Sequence, residues 1–300
     1  MATGRRLSWS GVGLAAACLL FALLVWPVTG TLWSAWRTDP AFSHGPLVPL
    51  IAAGLLWMRK SRLSRWDAAD YRALALIIPS CLLHVASMWG DLVFLKPVSL
   101  IGVLLGALWF LGGWRAAGAA AGPLGFLLFT VPWPTTVTER LALPLQMTST
   151  AYAALCAGLL GIPIHREGVE LSVMGAAGGP PIYSMIVAAK CSGLASLIVL
   201  LALAYLVAYF TPLHLGWRAL LMALVVPLTL VANTVRLTLI LVAGANHSPS
   251  LAQWVHDHEA PVLIFFCSLG LLAIQQWLVK WATRPSTETR LDEALPPAGA

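Results

Sequence analysis

The sequence predicts an all-α polytopic membrane protein. About eight transmembrane helices are expected, with an extracytoplasmic interfacial helix and a short β-hairpin ahead of a cysteine, Cys191. Two observations carry that expectation. Hydrophobic residues make up 59% of the 300 and charged residues only 10%, and the mean hydropathy is +0.83, well outside the range of soluble domains. Apolar runs also recur from residue 10 to residue 281 with no long polar gap, so residues 1–283 read as one integral domain and 284–300 as a disordered cytoplasmic tail. The net charge of +6 comes from basic residues clustered between apolar runs, as in cytoplasmic membrane flanks. That excludes nucleic acid as the expected partner and makes the bilayer the first one.

Arg5 and Arg6 precede an apolar run from Trp9 to Val28 that lacks a convincing cleavage site, so it reads as a retained first span. Pro46 to Met58 then runs into Arg59, Lys60, Arg62, Arg65 and Arg72, the strongest topological mark in the chain. Further runs lie at Leu74 to Trp89, Pro97 to Leu111, Ala116 to Val131, Gly193 to Phe210, Gly216 to Val242 and Pro261 to Trp281. Leu141 to Leu160 is also apolar but carries Gln146, Thr148, Ser149 and Thr150. Counting it as a span puts the two basic chain ends on opposite sides. With eight spans, only Arg37, Lys96, Arg140, Arg166, Lys190 and Arg236 of the eighteen Lys and Arg lie outside, as the positive-inside rule requires. Leu141 to Leu160 is therefore expected in or dipping into the outer interface. Ile162 to Leu171 and Ile182 to Val187 read as two short strands around a Gly/Pro turn.

Cys18, Cys81 and Cys267 sit in apolar runs and Cys156 in an Ala/Leu-rich stretch, where a thiol is a small buried hydrophobe. No CxxC pair, His-x3-His spacing or acidic cluster indicates a metal, and no cofactor is expected. Cys191 differs, because it lies in the polar segment Lys190-Cys191-Ser192-Gly193 at the mouth of an apolar run. In the eight-span arrangement that segment is outside. Arg236, about 28 Å above Trp217 at ~1.5 Å per residue, falls near the outer boundary, with Asn233 one turn earlier favouring a polar site. The Gly244 to Glu259 loop is expected to carry His256 and His258 to the same level.

A thiolate is the attacking species of a cysteine nucleophile, and an ordinary thiol is mostly protonated at neutral pH. A helix start at Cys191, together with Lys190 and Arg236, would favour the anion. A histidine would take the thiol proton and return it to a leaving amine, while Arg236 would hold an oxyanion or a substrate carboxylate. The blander readings are packing for Cys191, interfacial snorkelling for Arg236 and solvation for the histidines.

The chain resembles the exosortase/archaeosortase family over most of its length. The resemblance rests on Ser43-His44-Gly45-Pro46-Leu47-Val48-Pro49, Val131-Pro132-Trp133-Pro134, Pro144-Leu145-Gln146, Gly161 to Gly168, Cys191-Ser192-Gly193-Leu194 and Asn233-x-x-Arg236. It implies a bacterial inner-membrane cysteine protease or transpeptidase with its active site on the extracytoplasmic face. Cys191 would be the nucleophile, Arg236 the stabiliser and His256 the acid/base, with His258 the alternative; Lys190, Ser192, Gly193, Asn233 and His44 would be supporting residues. Counting from His256 gives Ala260 where the family has Gly, and Lys190 and Ala195 also depart from its pattern. The implied substrates are exported proteins ending in a Pro-Glu-Pro-like (PEP-CTERM-like) motif, an apolar helix and a basic tail, with an amine or glycan acceptor in a surface-polysaccharide setting. The rival expectation is a non-enzymatic membrane component of exopolysaccharide assembly or export, in which Cys191 and Arg236 only pack.

Overall fold

In the computed structural model, which describes residues 11–63, 69–90, 92–175, 179–211, 214–246 and 249–282, the apolar runs are helices. In chain order these are α1 (Gly11–Thr38), α2 (Leu47–Met58), α3 (Lys60–Leu63), α4 (Leu74–Trp89), α5 (Leu95–Phe126) and α6 (Thr135–Leu159). Three strands follow, β1 (Ile164–Glu167), β2 (Glu170–Met174) and β3 (Pro181–Ile186), and then α7 (Leu194–Phe210), α8 (Leu215–Ala223), α9 (Val225–Ala245) and α10 (Pro249–Ala282). The expected tail, 284–300, lies outside the described residues.

Among the described residues, five helical stretches are long and apolar enough to cross a membrane: Pro40–Met58, Tyr71–Trp89, Leu95–Thr130, Leu215–Ala245 and Val262–Trp281; Leu194–Phe210 is a shorter apolar helix. The expectation of about eight counts three more crossings, namely α1, α7 and a division of Leu95–Thr130 into two. A straight helix of the 36 residues in Leu95–Thr130 would be about 54 Å long, nearly twice a ~30 Å hydrocarbon core. The backbone breaks at Gly113, which adopts φ 69° and ψ −177°, a conformation glycine tolerates because it has no Cβ. Exposed Trp114 and Arg115 follow the break, and residues of this kind mark a membrane interface. Leu141 to Leu160, expected at the interface, lies within α6 except for Leu160 in the turn that follows, and α6 is not among the five stretches.

The chain forms two compact units. The first comprises Met1–Met147 and Val187–Val199. In it α4 packs antiparallel to the first half of α5. Gly102 and Gly106, one turn apart on α5, leave no room for a Cβ against Ser80 and Ile77, the small-residue spacing that lets helices approach closely. Near the other end of this pair, His84 Nδ1 donates to Ser99 Oγ (2.9 Å), whose own hydrogen goes to the Lys96 carbonyl (2.8 Å). At the start of α4 the Asp70 amide donates to the Phe110 carbonyl (3.1 Å) and Trp109 Nε1 donates to Asp70 Oδ2 (2.9 Å).

The second unit comprises Thr148–Ile186 and Leu200–Ala300. Its sheet is antiparallel in the order β1-β2-β3. The sequence reading of two strands is corrected here, because Ile162 to Leu171 contains a hairpin. Glu167 pairs with Glu170, and the two-residue loop between them opens on Gly168 at φ 60°, the left-handed first position that a tight hairpin of the II′ kind requires. Ser172 and Ser184, directly opposite on β2 and β3, share a 2.8 Å hydrogen bond. The sheet docks on α9, where Gly244 admits the Tyr183 ring at a place a Cβ would fill. Ile240 and Ala243 of α9 and Ala252 of α10 form a buried cluster, against which Tyr183, Met185 and Val255 pack.

Candidate active site

The Cys191 segment belongs to the first unit. Val187 is buried, and its carbonyl accepts a 3.1 Å hydrogen bond from Gln146 Nε2 on α6. Ala188 is extended, with φ −64° and ψ 160°, and Ala189–Cys191 then make a single turn of 3-10 helix closed by Cys191 N–H to the Ala188 carbonyl (2.8 Å). Ser192 is buried, and its Oγ accepts from the Leu194 amide (3.2 Å). Gly193 has φ 87°, and its carbonyl takes the Leu197 amide (2.9 Å). Gly193 is therefore the N-cap of α7, a position where glycine is well tolerated.

This corrects the expectation that Cys191 begins a helix. The first helical residue is Leu194, and Cys191 is two residues ahead of the cap. One of the helix's orphan amides is satisfied by Ser192 rather than directed at the thiol. The Cys191 side chain is half-buried and forms no disulfide. The turn thus presents a reduced thiol on a corner whose two flanks are held by side-chain hydrogen bonds. The side chain of Lys190 lies outside the described residues.

His44 serves a different joint of the first unit. Its Nε2 donates to the Phe129 carbonyl (3.2 Å), while Nδ1 is buried without a hydrogen-bond partner among the described residues. Beside it the Gly45 carbonyl accepts from Thr130 Oγ1 (3.4 Å), and the Thr130 carbonyl accepts from Trp36 Nε1 (3.3 Å). A Cβ on Gly45 would collide with the Trp36 indole. The Ser43-His44-Gly45 sequence therefore fastens the start of α2 and the end of α1 to residues 129–130.

Asn233 and Arg236 lie in the second unit, on α9. Positions 233, 236, 240 and 243 follow a helical stripe of three- and four-residue steps, and Ile240 and Ala243 at its end face Ala252 of α10. Asn233 is buried and Arg236 half-buried. The expected histidine loop is a second correction, because α10 begins at Pro249 and both histidine positions are helical. Position 256 lies one turn beyond Ala252 on the same face, and position 258 is about 200° around the axis from it. The side chains of both lie outside the described residues.

Residues 36–274 match the transmembrane exosortase family (Exosortase_EpsH). The chain belongs to that family. No curated protein and no solved structure matches it. Exosortases are generally taken as transpeptidases, and the matched region of this exosortase contains all of α2 to α9, the Cys191 turn and the Asn233–Arg236 stripe. The sequence marks Ser192 as a supporting residue and Gln146 as a polar residue in an apolar run, but assigns neither a hydrogen-bond partner. The signal for Ser192 was present, since a serine shortly before an apolar helical run is a start signal; the partner of Gln146, 41 residues away, had none.

Proposed function

We propose that this exosortase is a membrane-embedded cysteine transpeptidase acting on exported proteins that end in a sorting motif, an apolar helix and a basic tail. The observation that supports it best is the Cys191 turn. Its thiol is half-buried, and its position is fixed by the Gln146–Val187 bond on one side and by Ser192 and left-handed Gly193 on the other. A packing cysteine needs no such corner.

In the proposed reaction, His256 takes the Cys191 proton and the sulfur adds to a substrate carbonyl. Arg236 holds the resulting oxyanion, as preorganised donors do in acyl transfer. Collapse breaks the C–N bond, and the leaving amine of the C-terminal fragment takes the proton back from His256, leaving a thioester on Cys191. An acceptor nucleophile, an amine or glycan group, then attacks the thioester and returns the thiol; water in that role gives hydrolysis. The charge distribution supports an inner-membrane setting with this chemistry on the extracytoplasmic face.

Processing of a tagged substrate in cells carrying Cys191→Ala or Cys191→Ser tests the proposal. Loss of processing in both variants, with normal membrane levels of the protein, is expected. Intact processing in both would overturn the reading in favour of a non-enzymatic component of polysaccharide assembly.

A further inference from the structure

Resting on the transpeptidase reading, we infer that Asn233 is a further substrate-contacting residue. Its carboxamide N–H, beside the Arg236 guanidinium, donates to an oxygen of the sorting signal that carries or gains negative charge. The polar side chains of α9 set this residue apart. Thr229, Thr234 and Thr238 each donate to the carbonyl four residues back, all at 2.8 Å, which is how hydroxyls satisfy themselves inside an apolar helix. Asn246 at the end of α9 does the same with its carboxamide, donating to the Val242 carbonyl (2.9 Å), whereas Asn233 makes no such bond. It is only 4% exposed, and its Nδ2 is buried without a hydrogen-bond partner among the described residues.

An unmet buried donor is unfavourable, and a leucine of similar volume would remove the defect. A carboxamide kept in that state points to a partner that arrives from outside the chain. The position says what kind of partner. Asn233 precedes Arg236 by three residues on one face of α9, so an atom held by the guanidinium lies within reach of the carboxamide. Two neighbouring donors, one of them cationic, exclude a metal ion and select an oxygen acceptor. Two oxygens of the sorting signal have that chemistry: the carbonyl oxygen that becomes tetrahedral and a carboxylate of the recognition motif.

The test uses the full-length exosortase in lipid nanodiscs with Asn233→Leu and Asn233→Asp. With a purified tagged substrate, Asn233→Leu is expected to lower the processing rate about 100-fold, the effect of deleting one oxyanion donor, while unfolding at the wild-type temperature or above. Asn233→Asp, which replaces the donor by a negative acceptor, is expected to lose at least as much. Equilibrium binding of uncleaved substrate to Cys191→Ala and to Cys191→Ala with Asn233→Leu then separates the two oxygens. An unchanged Kd beside the lost rate assigns the reacting carbonyl, and a Kd weakened tenfold or more assigns a carboxylate. Wild-type processing by Asn233→Leu would overturn the inference. So would a fall in unfolding temperature that tracks the loss of activity, because Asn233 would then be a packing residue. If Cys191→Ala itself still processes substrate, the transpeptidase reading fails, and the binding comparison still decides whether Asn233 contacts the signal.

Discussion

Gln146 on α6 donates a 3.1 Å hydrogen bond to the carbonyl of Val187, four residues before Cys191. Both groups are buried, so water cannot substitute for either partner. The bond fixes where the chain leaves the sheet and turns toward the thiol, which makes Gln146 a positioning residue for Cys191.

Gln146→Leu strands the Val187 carbonyl at a cost of about 1–3 kcal/mol. The variant is expected to unfold a few degrees below wild type in detergent and to alkylate at Cys191 with an altered rate and pH profile. Kinetics of thiol labelling, compared between the two proteins, check this; identical profiles would leave the bond without influence on the Cys191 thiol.

Gly45→Ala places a methyl group in the Trp36 indole and forces apart the joint that holds Trp36 to Thr130. Overpacking of this kind costs about 1–3 kcal/mol. Reduced membrane accumulation is expected, together with a changed Trp fluorescence spectrum. The effect should be much smaller for Gly54→Ala, where nothing lies within 4 Å of an added Cβ.

The two histidine positions of α10 stand about 200° apart around the helix axis, so one substitution should matter and the other should not. His256→Ala is expected to reduce processing 100-fold or more, as loss of a general acid/base does, and His258→Ala to leave it within a few-fold. Equal losses in both variants would contradict the assignment.

Gly244→Ala drives a Cβ against the Tyr183 ring and should loosen the sheet from α9. Faster limited proteolysis within residues 164–186 is the expected signature, and Tyr183→Ala in the same chain should relieve the clash while leaving a cavity.

Arg166, exposed on β1, reports sidedness. In intact cells an impermeant thiol reagent is expected to label Arg166→Cys in a Cys191→Ala background, and protection from outside would refute the eight-span arrangement.

Much of this architecture was legible from the sequence because membrane helices announce themselves through long apolar runs, and a polar Lys-Cys-Ser-Gly segment stands out against them. Cys191 draws attention for that reason. The histidines were misread as loop residues because His256-Asp257-His258-Glu259 is polar, although Ser248-Pro249 ahead of it is a helix-start pair. The hairpin at Gly168 was missed because a single glycine within an apparent strand gives little warning of a reversal. Gln146 could be noticed but not paired, since no local pattern links a side chain to a carbonyl 41 residues away.

The break at Gly113 reaches well beyond α5. If Leu95–Thr130 crosses the bilayer once, the Cys191 turn shares a compartment with the basic loop after Met58; if it crosses twice, the two are on opposite sides. One glycine in a left-handed conformation thus acts as a parity bit for everything downstream of it. A side chain at position 113 that opposed the break would do more than strain a helix: it would favour the arrangement in which every later segment, the thiol included, faces the opposite solution.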